Sequence, residues 1–218
     1  ASADFIVAQI TPDVTVDVAN ITYGANATVT VTVSNKVTGK VNVTVNGATY
    51  EVDVVNGKGT LVVSGLNAGS YTVTVSYAGN DNFTAATAEA DFTITKADTL
   101  LNVGVGNITY DNNASVIVTV NTNATGTVTI NVNGNDHIAT IVNGKAVLVL
   151  PNLTPGKYTV AVTYNGDGNF SAATASTEFT VSAMDPSLSV VVNNITYGAN
   201  GTVTVNVNNK VTGKVNIT

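Results

Sequence analysis

The sequence has no cysteine, so neither a disulfide framework nor a thiolate metal site can form, and the redox compartment stays open. Tryptophan and arginine are also absent, and all eight basic residues are lysine. Charged residues are only 10 % of the chain and the net charge is −6. Nucleic acid is excluded as a partner, because no cluster of cations is available to displace counterions from phosphates. His137 is the one imidazole; it falls in a hairpin region and reads as an idle, exposed side chain. A nucleophile needs a base within hydrogen-bond reach, and no such pair recurs. The chain therefore reads as no enzyme and as needing no cofactor. No run of eighteen apolar residues occurs, so no membrane insertion is expected in this segment. The N-terminal Ala1-Ser2-Ala3-Asp4 lacks the basic region and hydrophobic core of a signal peptide and reads as the middle of something longer.

What the chain does have is valine and a period. Apolar residues make up 44 % of it, and with so few charges the polar surface falls to Thr, Asn and Ser. Leu66-Asn67-Ala68-Gly69-Ser70-Tyr71 is an L-x-x-G-x-Y turn feeding Thr72-Val73-Thr74-Val75-Ser76-Tyr77. Side chains on a strand alternate with period two, so Tyr71, Val73, Val75 and Tyr77 share a face. A Tyr just past a Gly turn, opening a strand, is the tyrosine corner of Ig-like sandwiches. Its ring is expected to fill the core and its hydroxyl to bond back to the loop backbone. The same residues recur as Leu153, Gly156, Tyr158, Val160, Val162 and Tyr164, each 87 positions further on. The chain is a tandem array of this unit.

Alternation and turn signals predict about seven strands per unit. In the first copy strand A carries Val14, Val16 and Val18; B carries Val29, Val31 and Val33; C carries Val41, Val43 and Val45. Strand D holds Tyr50, Val52 and Val54, E holds Leu61 and Val63, F is the tyrosine strand, and G holds Phe92 and Ile94. Asn46-Gly47 and Asn56-Gly57 predict C–D and D–E hairpins, matched by Asn133-Gly134 and Asn143-Gly144. Residues 4–8 align with strand G at the same offset, and the last segment repeats strands A, B and C only. The fold class is all-β, tandem Ig-like Greek-key sandwiches with partial modules at both ends. The expected divisions are 1–10 (a closing strand), 11–97 and 98–184 (complete repeats), and 185–218 (strands A–C). The junctions Lys96-Ala97-Asp98 and Ala183-Met184-Asp185 are short enough for a semi-rigid rod.

Asn-Ile-Thr-Tyr-Gly, Thr-Gly-Lys-Val, the L-x-x-G-x-Y turn, a G-[ND]-x-N-F loop and a closing Phe strand recur in this order. In this the chain resembles the group-three bacterial Ig-like repeats, and in particular those of adhesin-like surface proteins of methanogenic archaea. The resemblance covers the whole chain. It implies a secreted, cell-surface protein whose repeats hold a terminal binding or anchoring region away from the envelope, and it implies no activity for the repeat itself.

Twelve Asn-x-Ser/Thr sequons are present. Those at Asn20/Asn107/Asn194, Asn26/Asn113/Asn200 and Asn82/Asn169 recur in phase and fall in expected turns, which makes them glycosylation candidates. Asn also serves left-handed turn geometry and Thr serves strand propensity, so the pattern has a plain structural reading too. Asp81 and Asp167 sit in oxygen-rich F–G loops and are candidate metal ligands, as are the junction residues Asp98 and Asp185. Each loop holds a single carboxylate and no bidentate Glu follows, so a turn without metal is the reading taken. For a Lys–Asn crosslink, Lys36, Lys40 and Lys96 are replaced in the second copy, and Lys58/Lys145 sits in a solvated turn. Thr28, Thr30, Thr32, Thr72 and Thr74 are expected to form a flat polar face, by cross-strand pairing or for stacking on glycans.

The leading expectation is a non-enzymatic stalk or fibre segment, extracellular and at the cell surface. Its partners are neighbouring repeats, with other copies of the chain and host or microbial surface glycans as further candidates. Glycan binding and self-assembly by strand exchange between copies are the alternatives.

Overall fold

Alternation of Val with Thr, Asn or Ser makes strands that are buried on one side. The computed structural model describes residues 1–34, 37–207 and 212–218, and no helix occurs among them. In module one the strands are β1 (Val14–Val18), β2 (Ile21–Thr22), β3 (Ala27–Val33), β4 (Gly39–Val45), β5 (Ala48–Val54), β6 (Lys58–Val63), β7 (Gly69–Tyr77) and β8 (Ala86–Thr95). They form one sheet in the order β1-β3-β6 and a second in the order β2-β8-β7-β4-β5. Pairing is antiparallel, except that β2 runs parallel to β8.

Module two repeats this plan. Its strands are β9 (Asn102–Gly104), β10 (Ile108–Thr109), β11 (Ala114–Thr119), β12 (Thr127–Val132), β13 (Asn135–Thr140), β14 (Lys145–Leu150), β15 (Gly156–Tyr164) and β16 (Ala173–Ser182). The sheets are β14-β11-β9 and β10-β16-β15-β12-β13.

Each module closes on its own valine core. Ala27, Val29, Val31 and Val33 point inward from β3 while Thr28 and Thr32 face water. Val41, Val43 and Val45 of β4 and Val73 and Val75 of β7 meet them from the other sheet. Burying each such valine stabilises the module by about 1.5–3 kcal/mol. The expected Thr face divides in two, because Thr28, Thr30 and Thr32 lie on β3 and Thr72 and Thr74 on β7, in different sheets. The latter pair is engaged across the sheet, Thr72 with Asp91 at 2.6 Å and Thr74 with Glu89 at 3.3 Å.

The strand expected as D is instead an extra strand of the larger sheet. Asn46 and Gly47 both have positive φ (49° and 77°), so a two-residue type I′ turn holds β5 in register beside β4. Asn56-Gly57 makes a similar turn (φ 52° and 75°), closed by a Val55–Lys58 bridge, but beyond that bridge the strands part and β6 joins β3 in the opposite sheet. The second Asn-Gly is a corner between sheets, not a hairpin within one. The two-residue strands β2 and β10 fall where a plain turn was expected.

Two terminal expectations are also corrected. Residues 4–8 form no strand, and Phe5, Ile6 and Val7 are exposed. In the last segment β17 (Ser189–Val192) and β18 (Val203–Asn206) pair as an antiparallel ribbon, but residues 213–218, expected as strand C, form none. A strand needs a partner for its backbone groups, and neither segment finds the second sheet that would supply one. Lys36 lies outside the described residues.

Both corner hydroxyls bond to the loop as expected, Tyr71 to the Asn67 carbonyl at 2.9 Å and Tyr158 to the Thr154 carbonyl at 3.0 Å. The half-buried rings do not fill the core. They lie on its rim, stacked on Phe92 and Phe179 at 5.4 and 5.2 Å, beside half-buried Leu66 and Leu153. The deeply buried tyrosines are Tyr77 and Tyr164, at the far end of the same strands. Tyr164 donates to the Thr125 carbonyl at 3.0 Å, whereas the Tyr77 hydroxyl has no partner among the described residues. Tyr164→Phe should therefore cost module two about 1–2 kcal/mol, and Tyr77→Phe should leave module one unchanged or more stable. Hydrogen exchange read module by module distinguishes the two; equal losses would contradict the assignment.

Candidate functional site: the joint between modules

The F–G loop of module two, residues 165–172, is a small framework built on one carboxylate. Asp167 Oδ1 accepts the amides of Asn169 and Phe170 at 2.8 Å each, and Oδ2 accepts the Thr125 amide at 2.8 Å and its hydroxyl at 3.0 Å. Burial pushes this carboxyl up, but the donors of Asn169, Thr125 and Phe170 outweigh it and hold the pKa at about 2. Burial, together with the neighbouring Asp167, raises the Tyr164 phenol to about 12. Gly166 makes the loop possible: its φ is 81°, and a Cβ there would lie 2.6 Å from the Phe170 carbonyl oxygen. Module one uses Asn80 in place of Asp167, its Oδ1 accepting the amides of Asn82 and Phe83 at 2.9 Å each.

The linker is stitched into this loop. Ala97 bridges Phe170, donating to the Asn169 carbonyl and accepting from the Ser171 amide, both at 2.9 Å. Lys96 Nζ donates to the Asp167 carbonyl at 2.5 Å. In phase with these, Ile10 bridges Phe83 and Gln9 Nε2 donates to the Asn80 carbonyl at 2.7 Å. The linker thus belongs to the head of the module that follows it, which removes most of its freedom.

Module one closes on that head from the other side. The Tyr23 ring meets Phe170 edge to face, with centroids 5.4 Å apart at 81°, and packs against the cores of both modules. The Asn169 side chain clamps the E–F loop: Oδ1 accepts the Ala68 amide at 2.9 Å and Nδ2 donates to Asn67 Oδ1 at 3.1 Å. Phe170 is buried here, while its counterpart Phe83 is only half-buried. A cleft of about 560 Å³ opens beside the joint, lined among others by Tyr23, Leu100, Asn121 and Phe170. At the positions of Asn67 and Ala68, module two carries Thr154 and Pro155. Proline has no N–H, so the far end of module two cannot offer the same clamp.

Asp167 is surrounded by N–H and O–H donors, the environment of a turn acceptor and not of a cation ligand, while Asp81 is exposed and aligns with Gly168. Asp185 accepts the Ser187 amide in a local turn and Asp98 is exposed in the linker. No group of three or more His, Cys, Asp or Glu gathers among the described residues. Asn20 and Asn107 are exposed, with Oδ1 accepting the amides of Thr93 and Thr180 at 2.7 and 2.8 Å. Asn26, Asn113, Asn194, Asn200 and Asn82 are exposed, whereas Asn169 is half-buried in the joint. His137 is half-buried on β13 opposite Ile130, not exposed. Lys40 pairs with Glu51 at 2.7 Å, and Lys58 and Lys145 open β6 and β14 as exposed side chains.

The joint is not legible in the sequence. The in-phase Tyr23/Tyr110 and Phe83/Phe170 were visible as repeats, but nothing in their spacing says that a Tyr of one unit touches a Phe of the next.

The Asp167 carboxyl titrates below its ordinary value, so the unfolded chain binds that proton first. Its stabilising contribution is complete above about pH 4 and is lost as pH falls through about 2. Module two should therefore lose protection on acidification over that range. Asp167→Asn, which copies Asn80 of module one, should remove this dependence. Identical acid profiles for wild type and variant would refute the role given to the carboxylate.

A comparison with curated proteins finds no match. Among solved structures, the titin domains Z1Z2 in complex with telethonin are 16 % identical, with 82 % of this chain and 100 % of that chain covered and a TM-score of 0.45. A structure concerned with host cell surface retention of a bacterial ice-binding adhesin is 18 % identical, covering 87 % and 70 %, TM-score 0.38. A putative membrane anchored protein from Corynebacterium diphtheriae is 15 % identical, covering 79 % and 59 %, TM-score 0.34. The model of the bacterial Ig-like domain (group 3) matches residues 14–95 and 101–182, the spans of the two sandwiches. With about three-quarters of its length covered by the two matches together, the chain belongs to the bacterial Ig-like domain (group 3) family.

Proposed function

We propose that these repeats are a load-transmitting stalk segment of an extracellular, adhesin-like surface protein, of the kind that surface proteins of methanogenic archaea carry. The reading gives the repeat no catalytic role. The observation that carries it is the joint: a linker hydrogen-bonded into the next module's head, closed by Tyr23 on Phe170 and by the two-pronged Asn169 clamp. Such a joint transmits orientation from one sandwich to the next, which a spacer needs and a flexible tether lacks. The clamp bonds are worth about 0.5–1.5 kcal/mol each, enough to bias an orientation without fusing the modules.

The second reading is self-assembly between copies. It is supported by the β17–β18 ribbon, whose Val190, Val191 and Val192 are 57, 50 and 62 % exposed. Apolar ribbon of this kind is stabilised by added strands. Sedimentation at several concentrations separates the two readings, and a monomer throughout removes the second.

The stalk reading is tested by small-angle scattering and inter-module residual dipolar couplings on the full chain. The wild type should show a single inter-module orientation. Tyr23→Ala combined with Asn169→Ala should broaden that distribution while each module still unfolds as its own cooperative unit in hydrogen exchange. A wild type as loosely jointed as the variant would rule out the mechanical role.

A further inference from the structure

The F–G sequon occurs in both modules, as Asn82-Phe83-Thr84 and Asn169-Phe170-Ser171. Its backbone is held the same way in each, by two amide bonds to the side-chain oxygen of Asn80 or Asp167. The side-chain amides differ. Asn169 is half-buried, with Oδ1 occupied by the Ala68 amide and Nδ2 spent on Asn67 Oδ1 at 3.1 Å. Asn82 is exposed, and its side chain makes none of the hydrogen bonds found among the described residues. A saccharide bonded to Nδ2 is far larger than a 3.1 Å contact can admit.

We propose that this asparagine is an N-glycan acceptor only in a module whose F–G end is undocked. Asn82 is then a modification site while no neighbour is docked on its loop, Asn169 is silenced by the joint, and an attached saccharide and a docked neighbour exclude each other. The inference rests on the extracellular reading for its setting, since that is where a glycosyl donor is met. The donor class is a lipid-linked oligosaccharyl diphosphate. Its anomeric carbon–oxygen bond breaks, the anomeric carbon bonds to Asn82 Nδ2, the diphosphate leaves with the electron pair, and Nδ2 gives up one proton. Nothing is oxidised or reduced. Asn107 supplies the internal control: it is exposed and anchored through Oδ1 alone beside Thr180, apart from the residues of the joint, so its reactivity should not follow the state of the joint.

The test uses the folded full chain, an oligosaccharyltransferase that requires only the Asn-x-Ser/Thr sequon, and a lipid-linked oligosaccharide. Site occupancy is read by peptide mass spectrometry. Rates at Asn82 and Asn169 are normalised to synthetic peptides of residues 78–86 and 165–173, which removes the Thr-versus-Ser difference. Asn82 should be modified at least tenfold faster than Asn169. Opening the joint with Tyr23→Ala and Asn67→Ala should raise the Asn169 rate severalfold and leave Asn107 unchanged. Equal normalised rates in the wild type, an Asn82 as inert as Asn169, or no rise at Asn169 once scattering shows the joint open would each overturn the proposal. Scattering on the unmodified chain reports the stalk reading separately, so the two can fail independently.

Discussion

The hydrogen bond from the Tyr71 hydroxyl to the Asn67 carbonyl fixes a loop that faces two ways. Inward, it ties the crossing between sheets to a strand whose Val73 and Val75 are fully buried. Outward, it holds Asn67 and Ala68 where Asn169 of the next module can grip a side-chain oxygen and a backbone amide. One phenol thus serves the stability of a sandwich and the geometry of an array. Its ring can do both because it sits on the rim of the core, where the hydroxyl reaches a loop near the surface.

Repetition supplies the frame and individual residues modulate it. The F–G loops of the two modules share their hydrogen-bond pattern, yet one is organised by an amide and the other by a carboxylate whose pKa its donors hold at about 2. The E–F loops share the corner bond, yet Thr154-Pro155 in place of Asn67-Ala68 removes the clamp that the first joint uses. An array of near-identical sandwiches can therefore have joints of different stiffness at no cost to its cores, because the joint residues lie on loops that the core does not constrain.

A low charge content fits this architecture. The outer faces are covered by Thr, Ser and Asn engaged in short cross-strand contacts, such as Thr44 with Thr49 at 2.9 Å and Thr72 with Asp91. These contribute little individually. They do keep flat sheet faces hydrated while valines on the alternate positions fill the interior, which is why a chain so poor in charge has no buried polar or charged residue among those described.

The sequence by itself determined the main strands of the two complete modules, the period, the turn residues and the corner, because each of these is local or repeats. Alternating Val and Thr dictates a half-buried strand, Asn-Gly dictates a type I′ turn, and Tyr after a Gly turn dictates the corner bond. Which sheet a strand joins was not local: β5 pairs with β4 because the first Asn-Gly turn is continued by a full ladder, while the second stops after one bridge. The meeting of Tyr23 with Phe170 and of Asn169 with Ala68, more than a hundred residues away, belongs wholly to tertiary structure. Periodicity states that residues are equivalent from one unit to the next. It carries no information on which inequivalent residues touch across a joint, since that depends on how two finished sandwiches are set against each other.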